Sequence, residues 1–194
     1  TAGKQPKIVS SGSLVAGGLD FDGTDDELLF TGSGLDIFKN IGYGQAFSVV
    51  KSRETGTASR RILDVTTPAT VSRYLLGDSS STSSSFRLGG RRLDANSFSQ
   101  ETSSSSHSNA ETLITGFLNW VDANLFLYQN GALVASDSSF QTSGNTSNTS
   151  SGSSSGIGIS AFNGTMKEIV IYNTNKSTSR TGIEANINAA YSIY

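Results

Sequence analysis

The chain contains no cysteine. Disulfides, thiolate metal sites and a cysteine nucleophile are excluded, so stability has to come from a packed core without covalent staples. Histidine is almost absent too. His107 stands alone in a serine run, too little for a His-based zinc site and poorly placed for the rigid support a Ser-His-Asp triad needs; it reads as a solvent-exposed loop residue. Charge is scarce, at 15% of residues with a formal net charge of −2. Phosphate recognition needs clustered Lys and Arg. The tight basic pairs, Arg60-Arg61 and Arg91-Arg92, read as solvated strand ends, so nucleic acid is not expected as a partner. No stretch approaches the roughly 18 apolar residues of a membrane span, and no signal-peptide pattern is present. The chain opens at Thr1 rather than Met, as a processed protein or part of a longer one would.

What is present is polar and β-patterned. Hydrophobic residues make up 35% of the 194, and Ser, Thr, Gly and Asn fill the gap. Disordered chains combine low hydrophobicity with high net charge; this one is nearly neutral, as extracellular or particle-surface β proteins are. The length suits one domain. Alternating runs predict short strands at Leu19–Asp22, Glu27–Phe30, Gln45–Lys51, Arg61–Val65, Arg73–Leu76, Ser85–Leu88, Thr112–Leu118, Ile157–Ile159 and Gly164–Asn173. The clearest hairpin is Leu125–Asn130, Gly131, Ala132–Ala135, because Asn-Gly supplies the two positive-φ residues of a type I′ turn. Three serine-rich stretches, Ser79–Ser85, Ser103–Ser108 and Ser136–Gly156, read as exposed loops or strand edges. After them comes one helix. Thr181-Gly-Ile-Glu184 has the form of a capping box, and Ile183, Ile187, Ala190, Tyr191 and Tyr194 recur at helical spacing. Loss of the Thr181 cap should cost about 1 kcal/mol. Even strand spacing with one terminal helix predicts an all-β, two-sheet antiparallel sandwich rather than a βαβ fold.

Candidate chemistry is thin. Asp20, Asp22, Asp25, Asp26 and Glu27 form the one dense set of hard oxygen ligands, of the kind calcium takes. Their spacing departs from the EF-hand loop, and a tight turn whose carboxylates bond nearby backbone N–H groups is the simpler reading. No other cofactor is implied. Glycoside hydrolysis needs two carboxyls flanking one bond, and none of Glu27, Glu54, Glu101, Glu111, Glu168 or Glu184 sits in such a pair of strands. Exposed aromatics are the usual platform for sugars; the candidates are Trp120, Tyr43, Tyr74 and Tyr128, with core packing the commoner fate of a lone Trp.

Gly18–Asp26 (Gly-Leu-Asp-Phe-Asp-Gly-Thr-Asp-Asp), Leu127-Tyr-Gln-Asn-Gly131 and Phe162–Asn173 (Phe-Asn-Gly-Thr-Met-Lys-Glu-Ile-Val-Ile-Tyr-Asn), followed by Ile183-Glu-Ala-Asn-Ile-Asn188 and Tyr191, resemble in order the signatures of concanavalin A-like, laminin-G-like jelly-roll domains. The opening Thr1–Ser10 is similar to a segment of the related α-L-arabinofuranosidase B catalytic-domain-like proteins, without the "WYDQSGNGNDA" stretch that usually precedes it. No matching motif carries over that family's catalytic carboxylates, so the resemblance implies display or adhesion, as in phage structural and bacterial surface proteins, rather than hydrolysis. Residues 1–17 are then a lead-in and residues 18–194 the jelly-roll domain. The expected function is a non-enzymatic surface module: a virion decoration, fibre or tail protein, or an extracellular adhesion domain. Its partners would be other structural proteins of a particle or cell surface, or surface glycans, with no nucleic acid and no membrane insertion. Homo-oligomerisation is left open. The alternative is a lectin-like, carbohydrate-binding module with or without calcium; a glycoside hydrolase is the third reading.

Overall fold

The computed structural model describes residues 4–7, 9–10, 13–14, 17–107 and 109–194. A first pair of short strands, β1 (Val9–Ser10) and β2 (Ser13–Leu14), forms its own hairpin. Then follow β3 (Leu19–Asp22), β4 (Leu28–Leu29), β5 (Tyr43–Ser52), β6 (Arg61–Thr66), β7 (Ser72–Asp78), β8 (Ser85–Gly90) and β9 (Ser99–Ser106). The chain continues with β10 (Thr112–Asn119), β11 (Asn124–Gln129), β12 (Ala132–Asp137), β13 (Gly156–Ile157), β14 (Asn163–Tyr172) and the helix α1 (Arg180–Tyr191). Sheet I has the order β12-β11-β10-β5-β14-β3, and sheet II the order β4-β13-β6-β7-β8-β9, with antiparallel neighbours throughout. The expected two-sheet antiparallel sandwich with one C-terminal helix is what forms.

Alternation along the strands builds the core. Successive side chains point to opposite faces, and on β5 Ala46 and Val50 face sheet II while Phe47 and Val49 face outward. The interior holds Phe38, Ile62, Tyr74, Leu76, Phe86, Leu88, Ile114, Leu118 and Trp120, all buried. Outward residues of sheet I would leave an apolar face in water. Helix α1 covers it: Ile187 is buried against Phe47, Val49 and Leu113, with Ile183 and Tyr191 half-buried beside it.

The helix is held differently from the sequence expectation. It begins at Arg180, its N-cap residue is Ser179, and that end has no side-chain cap. Thr181 is exposed. Glu184, expected to close a capping box, is buried and turned onto the sheet, where Oε1 accepts a 2.8 Å bond from Thr115 Oγ1 and Oε2 accepts one from Arg180 Nη1. Position 184 lies one turn into the helix on the sheet-facing side, so a buried hydroxyl takes precedence over the exposed N-terminus.

The Asn130-Gly131 turn has positive φ at both residues, 50° and 77°, as a type I′ hairpin requires. The expected strand at Glu27–Phe30 shortens to Leu28–Leu29, with Leu29 exposed. Serine-rich segments are more ordered than their composition suggests. Ser99–Ser106 is β9, and its Ser104 Oγ donates to Val134 O of β12, 3.1 Å, so the two sheets meet along this edge. The stretch from 138 to 155 is irregular yet tied into the sandwich end. Thr146 Oγ1 donates to Phe38 O (2.8 Å), Arg73 Nη2 donates to Thr149 Oγ1 (2.8 Å), and Thr66 N donates to Ser155 Oγ (2.9 Å).

Candidate functional site

Sheet II buries one face against sheet I and turns the other outward. Tyr74 and Leu76 of β7, and Phe86 and Leu88 of β8, point in; Leu75, Arg87 and Gly89 therefore point out. Pairing sets these outward residues in two rows across four strands. One row runs Asp64, Leu75, Gly89, Gln100, and the next runs Arg61, Gly77, Arg87, Thr102. Gly89 is needed for the shape: a Cβ there would lie 2.6 Å from Phe98 Cζ, so the Phe98 ring edge rests where a side chain would stand.

Between these residues lies a pocket of about 280 Å³. Arg61, Arg87 and Arg91 border it together with Leu75, Phe98 and Ser59, and no carboxylate is among its lining side chains. Leu75 is 2% exposed and Phe98 half-buried, which gives an apolar floor and an aromatic rim. The guanidiniums are fixed. Arg87 Nη1 donates to Gln100 Oε1 at 2.8 Å, and its Nη2 bonds Ser59 Oγ. Arg91 donates from Nε to Ser72 O (3.1 Å) and from Nη1 to Asn96 O (2.7 Å). Arg61 bonds Asp64, which lies fully buried behind it. Burial pushes the Asp64 carboxyl up, with the Arg61 charge pulling it back. Burial also holds the Arg87 guanidinium below its ordinary value, and the like charge of Arg61 adds to this. Sequence reasoning missed this site. Arg61 and Arg91 look like strand-end charges, and only sheet pairing brings them beside Arg87.

The aromatic candidates fare unevenly. Trp120 is fully buried against Phe38, ring centroids 6.0 Å apart, and presents no face to a ligand. Tyr74 is likewise in the core, its hydroxyl donating to Gly116 O at 2.9 Å. Both are corrected to core residues: Tyr74 points inward from β7, and Trp120, just past the end of β10, packs into the same interior, so neither ring is exposed. Tyr43 is half-buried and stacks on Phe117 at 6.4 Å. Tyr128 is covered by the Arg180 guanidinium, 3.8 Å from its ring centroid.

The acidic cluster is partly assembled. Asp22, Asp25 and Asp26 bring carboxylate oxygens within 4.8 Å of one another. Asp20 leaves the group and pairs with Arg53. Asp26 Oδ2 accepts from Asp22 N (2.9 Å) and Asp22 Oδ1 from Thr24 N (2.8 Å), the turn-bonding pattern of aspartates around a glycine. His107 is not the exposed loop residue its sequence context implied. It is 2% exposed, packs 4.7 Å from the Phe86 ring, and places Nε2 3.2 Å from Asp78 Oδ1. Ser52 Oγ donates to the other oxygen of Asp78 rather than facing His107, so the three do not form a nucleophile–base pair.

No family model matches the chain, and no curated protein matches it. Solved structures do. The CBM40 of Ruminococcus gnavus IT-sialidase, bound to α2,3-sialyllactose, is 12% identical with a TM-score of 0.56, over 91% of this chain and 94% of that one. A heptameric SAP-like pentraxin from Limulus polyphemus is 13% identical with a TM-score of 0.59, over 82% and 77%. The binding domain of botulinum neurotoxin serotype D/C is 14% identical with a TM-score of 0.61, over 94% of this chain and 45% of that one. At these identities the likeness is one of fold, and the fold is a jelly-roll β-sandwich of two antiparallel sheets.

Proposed function

We propose that this chain is a non-catalytic glycan-binding module displayed on a cell or virion surface, with the outer face of sheet II as its binding face. The observation that carries this is the pocket on rigid strands with hydrogen-bonding walls, an apolar floor at Leu75 and an aromatic rim at Phe98, the composition of a sugar site. A sandwich neighbour that holds sialyllactose supports it. A lining of guanidiniums without a carboxylate is unsuited to the paired-carboxyl chemistry of glycoside hydrolysis.

The test is a glycan array probed with the whole chain, with calcium and again with EDTA. Binding that survives EDTA supports the reading and removes the metal. Binding abolished by EDTA supports a metal-dependent glycan module and counts against the carboxylate-free pocket on sheet II as its binding face. A folded sample that binds no glycan would leave the display role alone, and the search would turn to protein partners.

A further inference from the structure

We infer that the pocket on sheet II receives the acidic group of a charged saccharide, a carboxylate or a sulfate, clasped by Arg61, Arg87 and Arg91. This rests on the glycan-binding reading above and narrows it to a ligand class.

Three of the fourteen Lys and Arg residues of a net-negative chain border one small pocket that no carboxylate lines. Arg61 and Arg87 occupy the same row, separated by Gly77, which has no side chain to part them. Like charges so placed repel, and Arg87 is 6% exposed, which limits relief by water. Asp64 pairs with Arg61 from behind and, with Asp78, acts on Arg87 only through space, while neither Arg87 nor Arg91 has a carboxylate ion-pair partner among the described residues. An incoming anion supplies what is missing. Nε of Arg61 and Nε of Arg87 are buried and have no hydrogen-bond partner among the described residues, so these guanidiniums are not saturated by the protein.

Guanidinium forks bind carboxylate and sulfate-like oxygens in charge-assisted pairs. The bonds from Arg91 to Ser72 and Asn96, and from Arg87 to Gln100, hold the groups in place before a ligand arrives, which lowers the ordering cost of binding. Leu75 and Phe98 have no use for a bare ion. They offer apolar surface to the C–H faces of a sugar ring, which makes the occupant an acidic saccharide and not a small inorganic anion.

Isotope-labelled whole chain is titrated by NMR with sialyllactose against lactose, and with sulfated N-acetylglucosamine against its unsulfated parent. Expected are amide shifts at Thr70, Val71, Leu75 and Phe98 with an acidic member and not with its neutral counterpart, weakening as salt rises. The two pairs tell carboxylate from sulfate. Arg91→Gln should weaken binding by about tenfold or more. Arg92→Gln, whose guanidinium bonds Thr142 and Asn145, should leave it unchanged. Wild-type shift mapping keeps the test decisive should a variant fold poorly. Equal binding of the acidic and the neutral member within both pairs in this pocket overturns the acidic-ligand inference and leaves the glycan reading standing. Acidic sugars that shift other regions also overturn it. No binding of any sugar, acidic or neutral, brings down both.

Discussion

Replacing Glu184 separates two accounts of how the terminal helix is held. A capping box would make Thr181 and Glu184 comparable partners at an exposed helix end. The structure instead buries Glu184 between Thr115 and Arg180, and leaves Thr181 exposed with no cap bond. In Glu184→Ala the fully buried Thr115 hydroxyl loses its acceptor, and hydrogen bonds to charged groups are worth about 1.5–3 kcal/mol. Arg180 remains stacked on Tyr128 and is 16% exposed, so water takes over part of its lost pairing. With the lost packing, the variant should be destabilised by about 3 kcal/mol, which for a chain of this size lowers Tm by roughly 6–12 °C. Glu184→Gln keeps an acceptor for Thr115. Burial already holds the carboxyl above its ordinary range, with Thr115 and Arg180 pulling it down, so a neutral amide should cost only about 1 kcal/mol. Thr181→Ala should stay within about 0.5 kcal/mol of wild type, as surface substitutions away from special contacts do. Differential scanning fluorimetry with urea midpoints reads all three. Thr181→Ala as damaging as Glu184→Ala would refute the buried-anchor account, and Glu184→Gln falling with Glu184→Ala would place the energy in the ion pair rather than the Thr115 bond.

Three further outcomes are expected. Ile187→Ala opens a cavity under the helix, against Phe47, Val49 and Leu113, and should cost roughly 2–5 kcal/mol in urea unfolding. Tyr74→Phe removes a buried donor to Gly116 O; it should cost about 1–2 kcal/mol and leave glycan affinity unchanged, since the ring is in the core. Burial pushes the Asp78 carboxyl up, with His107 and Ser52 pulling it back. Its stabilising contribution is thus fully present below the ordinary carboxylate value and is lost as pH rises through the raised one. Asp78→Asn abolishes that titration, so its urea midpoint relative to wild type should climb as pH rises from about 4 toward 8; a gap that falls over this span would contradict the sign.

The fold was legible where local chemistry and tertiary need agree. Asn130-Gly131 demands a particular turn, and Phe47 and Val49 alternate with Ala46 and Val50, so hairpin and central strand could be read directly. The helix face was readable from Ile183, Ile187 and Tyr191, but the target of Glu184 was not, because Thr115 lies 69 residues upstream. Strand β9 was hidden because an edge strand with one polar face can be built from serine, and its pairing with β8 leaves no apolar period. His107 and Trp120 were misplaced or ambiguous for the same reason: burial of a lone polar or aromatic residue depends on neighbours such as Asp78 and Phe38 that are distant in sequence. The candidate site was the least legible. Arg61, Arg87 and Arg91 converge only through the register of three adjacent strands, and no spacing along the chain signals it.

The place of β5 between β10 and β14 bears on how the molecule comes into being. Its partners lie on either side of it in space yet come long after it in the chain: Val49 pairs with Leu113 and with Glu168. Until Tyr172 has been made, the central strand of sheet I has one edge open, and the outward Phe47 and Val49 lack the helix that shields them. Nucleation must wait for contacts across much of the chain, which slows folding relative to hairpin-built sheets. A ribosome-bound chain would therefore hold its unpaired strands exposed until β14 and α1 have been made, the interval in which chaperone capture and misassembly compete with completion of the sandwich.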